Sequence, residues 1–154
     1  MLFLQNGEPF ATGVMDYEFR PLTPIDNNKR IILRINVENV PALGVVDTGA
    51  PYLIIAPVVA NRLGFDPTVS LERTDITIRG EKFSGNLYRA DVELAASEGM
   101  SINFQATAFV PNADQEDKWG SLPTFLGIES CLERIRFALD PDPKAPKFYF
   151  GVLP

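Results

Sequence analysis

Residues 42–55 read ALGVVDTGAPYLII, a short polar turn between two apolar runs. The apolar runs have the continuity that is typical of buried strands, whereas Asp47 and Gly49 are residues that favour turns. The turn is therefore expected at the edge of a hydrophobic core. A carboxylate there has two interpretations: a turn aspartate that is bonded to the local backbone, or a functional group.

Apolar residues alternate with polar ones on both sides of this turn, which predicts strands. Before the turn the alternation covers residues 31–37. After it, alternating stretches at 76–78 and 88–94 flank a glycine-bounded tip, Gly80–Gly85, and predict a β-hairpin. Further strands are predicted at 102–110, 137–139 and 148–152. The fold class that this pattern indicates is all-β.

Two short helices and a leading segment complete the predicted organisation. Pro57 stands where a first helical turn accepts proline and Gly64 where a helix ends, so residues 56–64 fit a helix. Apolar residues at 128, 131, 132 and 135 are spaced as one face of a second helix. Residues 112–121 are expected as a surface loop. Residues 1–28 are expected as an irregular lead-in with one strand near Met15–Phe19, and residues 29–154 as the main domain.

The composition argues against several functional classes. A net charge of -6 and a pI near 4.6 oppose binding to nucleic acid. The absence of histidine removes the usual catalytic base and most zinc sites, and the acidic stretch 114–117 lacks the spacing of a calcium loop, so no metal site is predicted. The single cysteine, Cys131, cannot form an internal disulfide and is interpreted as a core residue. No signal peptide or membrane span is visible, so a soluble, cytoplasmic protein is expected.

The order of elements around the Asp-Thr-Gly-Ala turn resembles the retropepsin-like family of aspartic proteases. From about Arg30 to Val152 it runs strand, turn, strand, short helix, hairpin, strands, the triplet Phe125-Leu126-Gly127, helix and strand. The resemblance implies a retropepsin-like acid protease barrel with one or two short helices. It also implies a peptide or protein substrate and no cofactor.

The same resemblance implies roles for three segments. Asp47 would be catalytic, Thr48 would brace two such turns across a subunit boundary, Gly49 would offer backbone groups to the peptide, and Ala50 would narrow the approach to the carboxylate. The hairpin tip would act as a flap over a bound peptide and would consist of Gly80, Glu81, Lys82, Phe83, Ser84 and Gly85. Phe125, Leu126 and Gly127 would pack behind the turn.

A single Asp47 carboxylate is insufficient for the chemistry of aspartic proteases. Two carboxylates held close together share one proton, so that one acts as a base on water while the other polarises the scissile carbonyl. The chain has no second Asp-Thr-Gly and no Asp-Ser-Gly. A two-fold homodimer is therefore expected to supply the second Asp47.

Two alternatives remain. Pro51 and Ile128 stand where viral members of the family commonly carry an aspartate and an arginine that pair, and Glu81 and Lys82 place charges near the hairpin tip. These differences favour a catalytically inactive retropepsin-like dimerisation or peptide-binding module. A glycosidase with paired carboxylates is the other alternative, although no motif places a second acidic residue for it.

Overall fold

Strands dominate the structure, which is a computed structural model that describes all 154 residues, 1–154. In chain order the strands are β1 (Leu2–Phe3), β2 (Pro9–Ala11), β3 (Gly13–Asp16), β4 (Glu18–Arg20), β5 (Arg30–Val37), β6 (Val40–Val46), β7 (Leu53–Ile54), β8 (Glu72–Ile78), β9 (Glu81–Leu94), β10 (Glu98–Gly99), β11 (Ile102–Pro111), β12 (Thr124–Leu126), β13 (Ile135–Asp140) and β14 (Lys147–Val152). The predicted all-β class is confirmed.

Helices are few and short. They are α1 (Pro57–Leu63) and α2 (Glu116–Trp119), with 3-10 turns at Pro67–Val69, Ala113–Gln115 and Leu132–Arg134. The first predicted helix is confirmed as α1: it begins at Pro57 and is capped by Gly64, whose φ of 63° is left-handed and whose N–H donates to the Ala60 carbonyl. No helix of this chain has the length and apolar character that crossing a membrane requires.

The second helix predicted after Gly127 is wrong. Only the 3-10 turn Leu132–Arg134 forms there, and β13 already begins at Ile135. Glu129 forms an isolated parallel bridge with Pro51, so the chain is extended where the helix was expected to begin, and Ser130 has a left-handed φ of 51°. The other helix of the structure is α2, which lies in the stretch predicted as a surface loop.

Residues 1–28 contain more strand than the sequence indicated. Four strands, β1 to β4, form where one was predicted near residues 15–19. β3 pairs with β10 and β14, while β4 pairs with β5. The four strands are only two to four residues long, and β3 and β4 pair with strands outside residues 1–28, so local periodicity gave little sign of them.

An eight-stranded sheet contains the residues of functional interest. Its order is β4-β5-β6-β12-β7-β11-β9-β8, and β9 also pairs with β5. The pairs β6–β12 and β7–β11 are parallel, and the other pairs in the sheet are antiparallel. A second sheet has the order β10-β3-β14-β13, and β1 pairs with β2 separately. β12 therefore lies between β6 and β7, the two strands that flank Asp47.

Two hydrophobic clusters form the core, and β7 contributes to both. Leu53 belongs to a cluster of 20 buried residues, which also includes Phe148. Ile54, the next residue, belongs to a cluster of 10 buried residues that includes Phe83. Side chains of a strand alternate between its two faces, so the strand that follows the Asp47 turn is fixed on both of its faces. The turn is thus attached to a rigid support, at the core edge where the sequence placed it.

Candidate active site

Asp47 follows the last residue of β6 and is only partly exposed. Its backbone N–H donates to the Leu126 carbonyl at 3.0 Å, and its own carbonyl accepts the N–H of Ala50 at 3.1 Å. Its carboxylate oxygen Oδ1 accepts the N–H of Gly49 at 3.0 Å. This bond to the residue two positions on orients the carboxylate, and the other oxygen, Oδ2, has no hydrogen-bond partner within the chain.

Residues 126–129, which we call the turn clamp, hold the Asp47 turn from behind. Besides the bond that Leu126 accepts, Gly127 N–H donates to Tyr52 O at 2.8 Å, Ile128 N–H donates to Ala50 O at 2.9 Å, and Tyr52 N–H donates to Glu129 O at 3.1 Å. Both ends of the turn are therefore bonded to one distant segment.

Gly127 has no space for a side chain. A Cβ built there would lie 2.3 Å from Tyr52 O and 2.5 Å from both Ala50 O and Pro51 O, and all three of these atoms belong to the backbone of the turn. The absence of a Cβ is what allows the clamp to approach the turn closely enough to form its hydrogen bonds. The sequence predicted that Phe125, Leu126 and Gly127 lie behind the turn, and they occupy β12 and the start of the clamp.

Thr124 connects the same region to α1. Its hydroxyl accepts the backbone N–H of Ala56 at 3.0 Å, and it is the only polar residue among the fully buried ones. Ala56 directly precedes α1, so this bond fixes the position of the helix relative to β12. The sequence analysis missed Thr124 because its neighbours gave no sign that this threonine would be buried.

The other turn residues face outwards. Thr48 and Gly49 are exposed, Ala50 is half-buried, and the Thr48 hydroxyl forms no hydrogen bond within the chain. The Thr48 hydroxyl is therefore available to a group outside the chain.

The hairpin formed by β8 and β9 turns more tightly than the sequence indicated. Its two-residue turn is Arg79–Gly80, with φ values of 52° and 80°, and not the segment Gly80–Gly85. Two positive φ values are typical of a type I′ turn, for which glycine, asparagine and aspartate are preferred. Arginine at the first position costs about 1–2 kcal/mol in backbone strain.

Most of the predicted tip therefore lies within β9. Gly85 pairs with Thr74, and a Cβ on Gly85 would meet Val110 O at 2.3 Å, so the strand passes very close to β11. The side chain of Phe83 is fully buried and packs edge-on against Trp119, with ring centroids 4.9 Å apart. Gly85, which was predicted to bound the hairpin tip, is thus a point of close packing between β9 and β11.

The segment around α2 braces this hairpin. Ser84 N–H donates to Gln115 Oε1 at 3.2 Å, and Lys118 Nζ lies 3.7 Å from a carboxylate oxygen of Glu81 and 5.0 Å from the centre of the Phe83 ring. Trp119 is buried, and its indole N–H donates to Leu122 O at 2.8 Å. Trp119 therefore packs within its own domain.

Within the hairpin, Lys82 Nζ lies 3.1 Å from Asp75 Oδ2 on the neighbouring strand. A hydrogen bond from Ser84, and then the charge and hydrogen bond of Lys82, hold the pKa of the Asp75 carboxyl below its usual value. The predicted flap residues Glu81 and Lys82 thus make ion pairs with Lys118 and Asp75, both of them largely exposed to solvent. Such exposed pairs contribute little to stability.

A cavity of about 250 Å³ lies between the Asp47 turn and the hairpin. Its lining residues come from the turn, from β5, β7 and β12, and from the end of β8 with its turn: Arg30, Asp47, Gly49, Ala50, Pro51, Ile54, Thr77, Ile78, Arg79 and Phe125. Of the predicted site residues, Asp47, Gly49, Ala50 and Phe125 are brought together here. Glu81, Lys82, Phe83, Ser84 and Gly85 are not among the lining residues, and neither is Gly80.

The arginines of this cavity were missed by sequence reasoning. Arg30 begins a predicted strand and Arg79 precedes the predicted hairpin tip, and neither position in the sequence indicates a role. The only available signal was the Arg79-Gly80 pair in a hairpin, where a long charged residue is unusual at the first turn position. A larger cavity of about 330 Å³ around Asn36, Asp91 and Glu93 lies away from Asp47, and its wall is almost wholly polar.

Cys131 is not a candidate nucleophile. Its side chain is fully buried, and desolvation raises the pKa of the thiol to about 12. At neutral pH the reactive thiolate is therefore absent, as expected for a cysteine that serves as a small core residue.

Comparisons with known proteins show where this architecture recurs. No family model and no curated protein matches the sequence. Among solved structures, the crystal structure of a retropepsin-like aspartic protease from Rickettsia conorii matches with a TM-score of 0.50 and 23% identity, over 91% of this chain and 95% of that one. EIAV protease in complex with the inhibitor HBY-793 matches with a TM-score of 0.41 and 17% identity, over 68% of this chain and 88% of that one.

Proposed function

We propose, since this chain has the retropepsin-like fold of the Rickettsia structure, that it is an aspartic endopeptidase whose active site is completed in a homodimer. The observation that carries the proposal is the position of Asp47. Its carboxylate is oriented by Gly49, its turn is bonded from behind by the turn clamp, and it lines a cavity under a hairpin. A turn aspartate with only a local structural role needs neither the clamp nor the cavity.

The homodimer follows from the number of carboxylates. Hydrolysis of an amide needs a base for water and an acid for the carbonyl oxygen, and Asp47 is the only carboxylate that lines the cavity. A two-fold axis next to the turns would bring two Asp47 side chains together and make the contacts isologous. The exposed Thr48 hydroxyl lies on the outer side of the same turn, where it can donate to the partner's turn.

The reaction would then proceed in two steps. The ionised Asp47 takes a proton from water, the oxygen of that water attacks the scissile carbonyl carbon, and the protonated Asp47 of the other subunit gives its proton to the carbonyl oxygen. The tetrahedral intermediate collapses with cleavage of the C–N bond. The nitrogen leaves with the proton held by the first carboxylate, while the second carboxylate recovers its proton from the intermediate. Since one carboxylate must be protonated, hydrolysis is favoured at acidic pH.

The peptide would bind in an extended form between the two turns and the two hairpins. Gly49 and Ala50 line the cavity. In this proposal Gly49 would offer backbone groups to the peptide and Ala50 would keep the approach to Asp47 narrow. The sequence predicted a flap at residues 80–85, but in this proposal only the part of the hairpin around its turn moves. Because Phe83 and Ser84 are held by Trp119 and Gln115, closure would involve residues 78–82 around the Arg79–Gly80 turn.

The test is peptide cleavage by the parent, Asp47→Asn and Asp66→Asn, with the oligomeric state measured in the same buffers. Asp66 is a matched control, because its Oδ1 accepts the N–H two residues on, from Thr68 at 2.9 Å, as Asp47 does from Gly49. We expect Asp47→Asn to fold, to dimerise and to lose at least about a hundredfold in kcat/KM, with Asp66→Asn unchanged. Equal cleavage by all three proteins would exclude the catalytic role of Asp47.

A second candidate is a peptide-binding or dimerisation module without hydrolysis. The observation in its favour is the presence of two charged residues, Glu81 and Lys82, directly after the hairpin turn, where Glu81 pairs with Lys118 outside the hairpin and Lys82 pairs with Asp75 within it. A stable dimer that binds peptides in the cavity, but cleaves none at acidic or neutral pH, would establish this second function.

A further inference from the structure

Two arginines line the Asp47 cavity, one at the start of β5 and one in the hairpin turn. Among the residues that line it, the charged ones are Asp47 and two arginines, Arg30 and Arg79. Both arginines also line an adjoining cavity of about 130 Å³. In a chain with a net charge of -6, two guanidinium groups beside one cavity are a local exception.

The two arginines differ in what they already bind. Arg30 Nε lies 3.2 Å from Asp26 Oδ2. Hydrogen bonds from Arg30 and from the backbone of Asn28, with a smaller contribution from the charges of Arg30 and Arg79, hold the pKa of Asp26 below its usual value. Arg79 has no carboxylate within 4.0 Å and its side chain donates no hydrogen bond to the protein. Its N–H donors are therefore available to a ligand.

The backbone at Arg79 argues that its side chain has a function. The residue is held at a φ of 52°, in a turn that favours glycine, asparagine or aspartate. A strained position occupied by a long cationic side chain, at the rim of a cavity, indicates a ligand contact and not a requirement of the turn. The floor of the same cavity is apolar, with Ile54, Ile78 and Phe125.

We infer that Arg79, supported by Arg30, selects peptides that carry an acidic side chain next to an apolar one at the Asp47 cavity. The inference rests on the proposed peptide-binding function. A guanidinium forms two parallel hydrogen bonds with a carboxylate. The amide of glutamine offers only one acceptor oxygen and carries no negative charge. Asp47 itself would repel a second carboxylate, so the acidic side chain lies at the hairpin rim, away from the catalytic turn.

The test measures binding separately from cleavage. We would measure the binding of two pools of short fluorescent peptides to Asp47→Asn by fluorescence anisotropy. The pools are identical except that the central Leu-Glu of one is Leu-Gln in the other. We expect the Glu pool to bind about five to ten times more tightly, and this preference to weaken at high ionic strength.

The preference is then measured in three further variants on the Asp47→Asn background. Arg79→Asn suits the turn but removes the charge, so it should abolish the preference, while Arg79→Lys should keep part of it. Arg73→Gln is the matched control: Arg73 lies exposed on β8 of the same hairpin, outside the cavity, and its loss should leave the preference intact.

The outcomes separate this inference from the proposed enzyme. Binding that prefers Glu through Arg79, without cleavage by the parent, supports the inference and refutes the protease. Cleavage that requires Asp47 but treats both pools alike keeps the protease and overturns the inference. The inference is also overturned if neither pool binds, or if Arg73→Gln and Arg79→Asn change the preference for the Glu pool equally.

Discussion

Replacement of Gly127 by alanine is the most direct test of how the candidate site is held. The new Cβ would lie 2.3 Å from Tyr52 O and 2.5 Å from Ala50 O. To reach an ordinary contact distance, the turn clamp has to recede by about 1 Å. The hydrogen bonds from Gly127 to Tyr52 and from Ile128 to Ala50, now 2.8 and 2.9 Å long, would then exceed bonding distance.

The expected loss of stability combines two terms. Overpacking in a tight region costs about 1–3 kcal/mol, and each lost hydrogen bond about 0.5–1.5 kcal/mol. We therefore expect Gly127→Ala to lower the free energy of unfolding by about 3 kcal/mol. With a urea m-value of about 2 kcal/mol/M, the unfolding midpoint would fall by about 1.5 M.

The assay is urea unfolding, followed by the fluorescence of Trp119 and by circular dichroism, at one fixed protein concentration because a dimer unfolds in a concentration-dependent way. Gly64→Ala is the control. Unlike Gly127, Gly64 has a positive φ, 63°, but a Cβ there meets nothing within 4 Å, so only backbone strain of about 1 kcal/mol is expected. If the two variants unfold within about 0.3 M of each other, the close approach of the clamp does not hold the turn.

Three further substitutions test the surroundings of the site. Thr124→Val keeps the side-chain shape but leaves the buried N–H of Ala56 unpaired, and should cost about 1–3 kcal/mol in urea unfolding; no change would mean that this N–H finds another acceptor. Trp119→Ala removes the packing against Phe83 and should lower the free energy of unfolding by about 3–5 kcal/mol, measured by thermal or urea unfolding. A loss under about 1 kcal/mol would mean that Trp119 does not stabilise the hairpin. The pKa of the Cys131 thiol is raised to about 12 in the folded chain, so above pH 9 only the unfolded chain ionises this thiol and the free energy of unfolding falls as pH rises. Between pH 8 and 10.5 the parent should therefore lose about 2 kcal/mol more of its unfolding free energy than Cys131→Ala does. Parallel plots of unfolding free energy against pH for the two proteins would refute this.

Where the sequence pattern was strong, its predictions agree with the structure. The alternation in residues 31–37 and 102–110 became β5 and β11, because one face of each strand packs in the core and the pattern records that burial directly. Pro57 and Gly64 marked both ends of α1, since each residue acts through its own backbone geometry and needs no distant partner. The Asp47 turn was placed correctly for the same reason.

The errors arise where distant contacts decide the local conformation. The apolar spacing from Ile128 to Ile135 fits a helix, but the pairing of Glu129 with Pro51 and the left-handed Ser130 make the chain extended and then sharply bent. The helical α2 gave no clear signal, because it is a single turn with one buried residue, Trp119. Neither outcome is encoded in residues close enough to appear in a local pattern.

The cavity illustrates the same limit for the site. Asp47 was found because its flanking strands and the Asp-Thr-Gly-Ala motif are contiguous in the sequence. Arg30 and Arg79 precede and follow it by different distances, and they share a cavity with it only because β5, β6 and the hairpin converge there. Sequence reasoning therefore gave Asp47 and the neighbours that belong to its own motifs, Gly49, Ala50 and Phe125, but not the two arginines.

The insertion of β12 between β6 and β7 constrains when the site can exist during synthesis and folding. β6 and β7 are close in sequence, but the strand that joins them, Thr124–Leu126, is made roughly eighty residues after Asp47. A nascent or partly unfolded chain that lacks this strand can still form the local bond from Gly49 to Asp47, but it has no clamp to hold the turn against the core. Formation of the candidate site is thus coupled to completion of the fold.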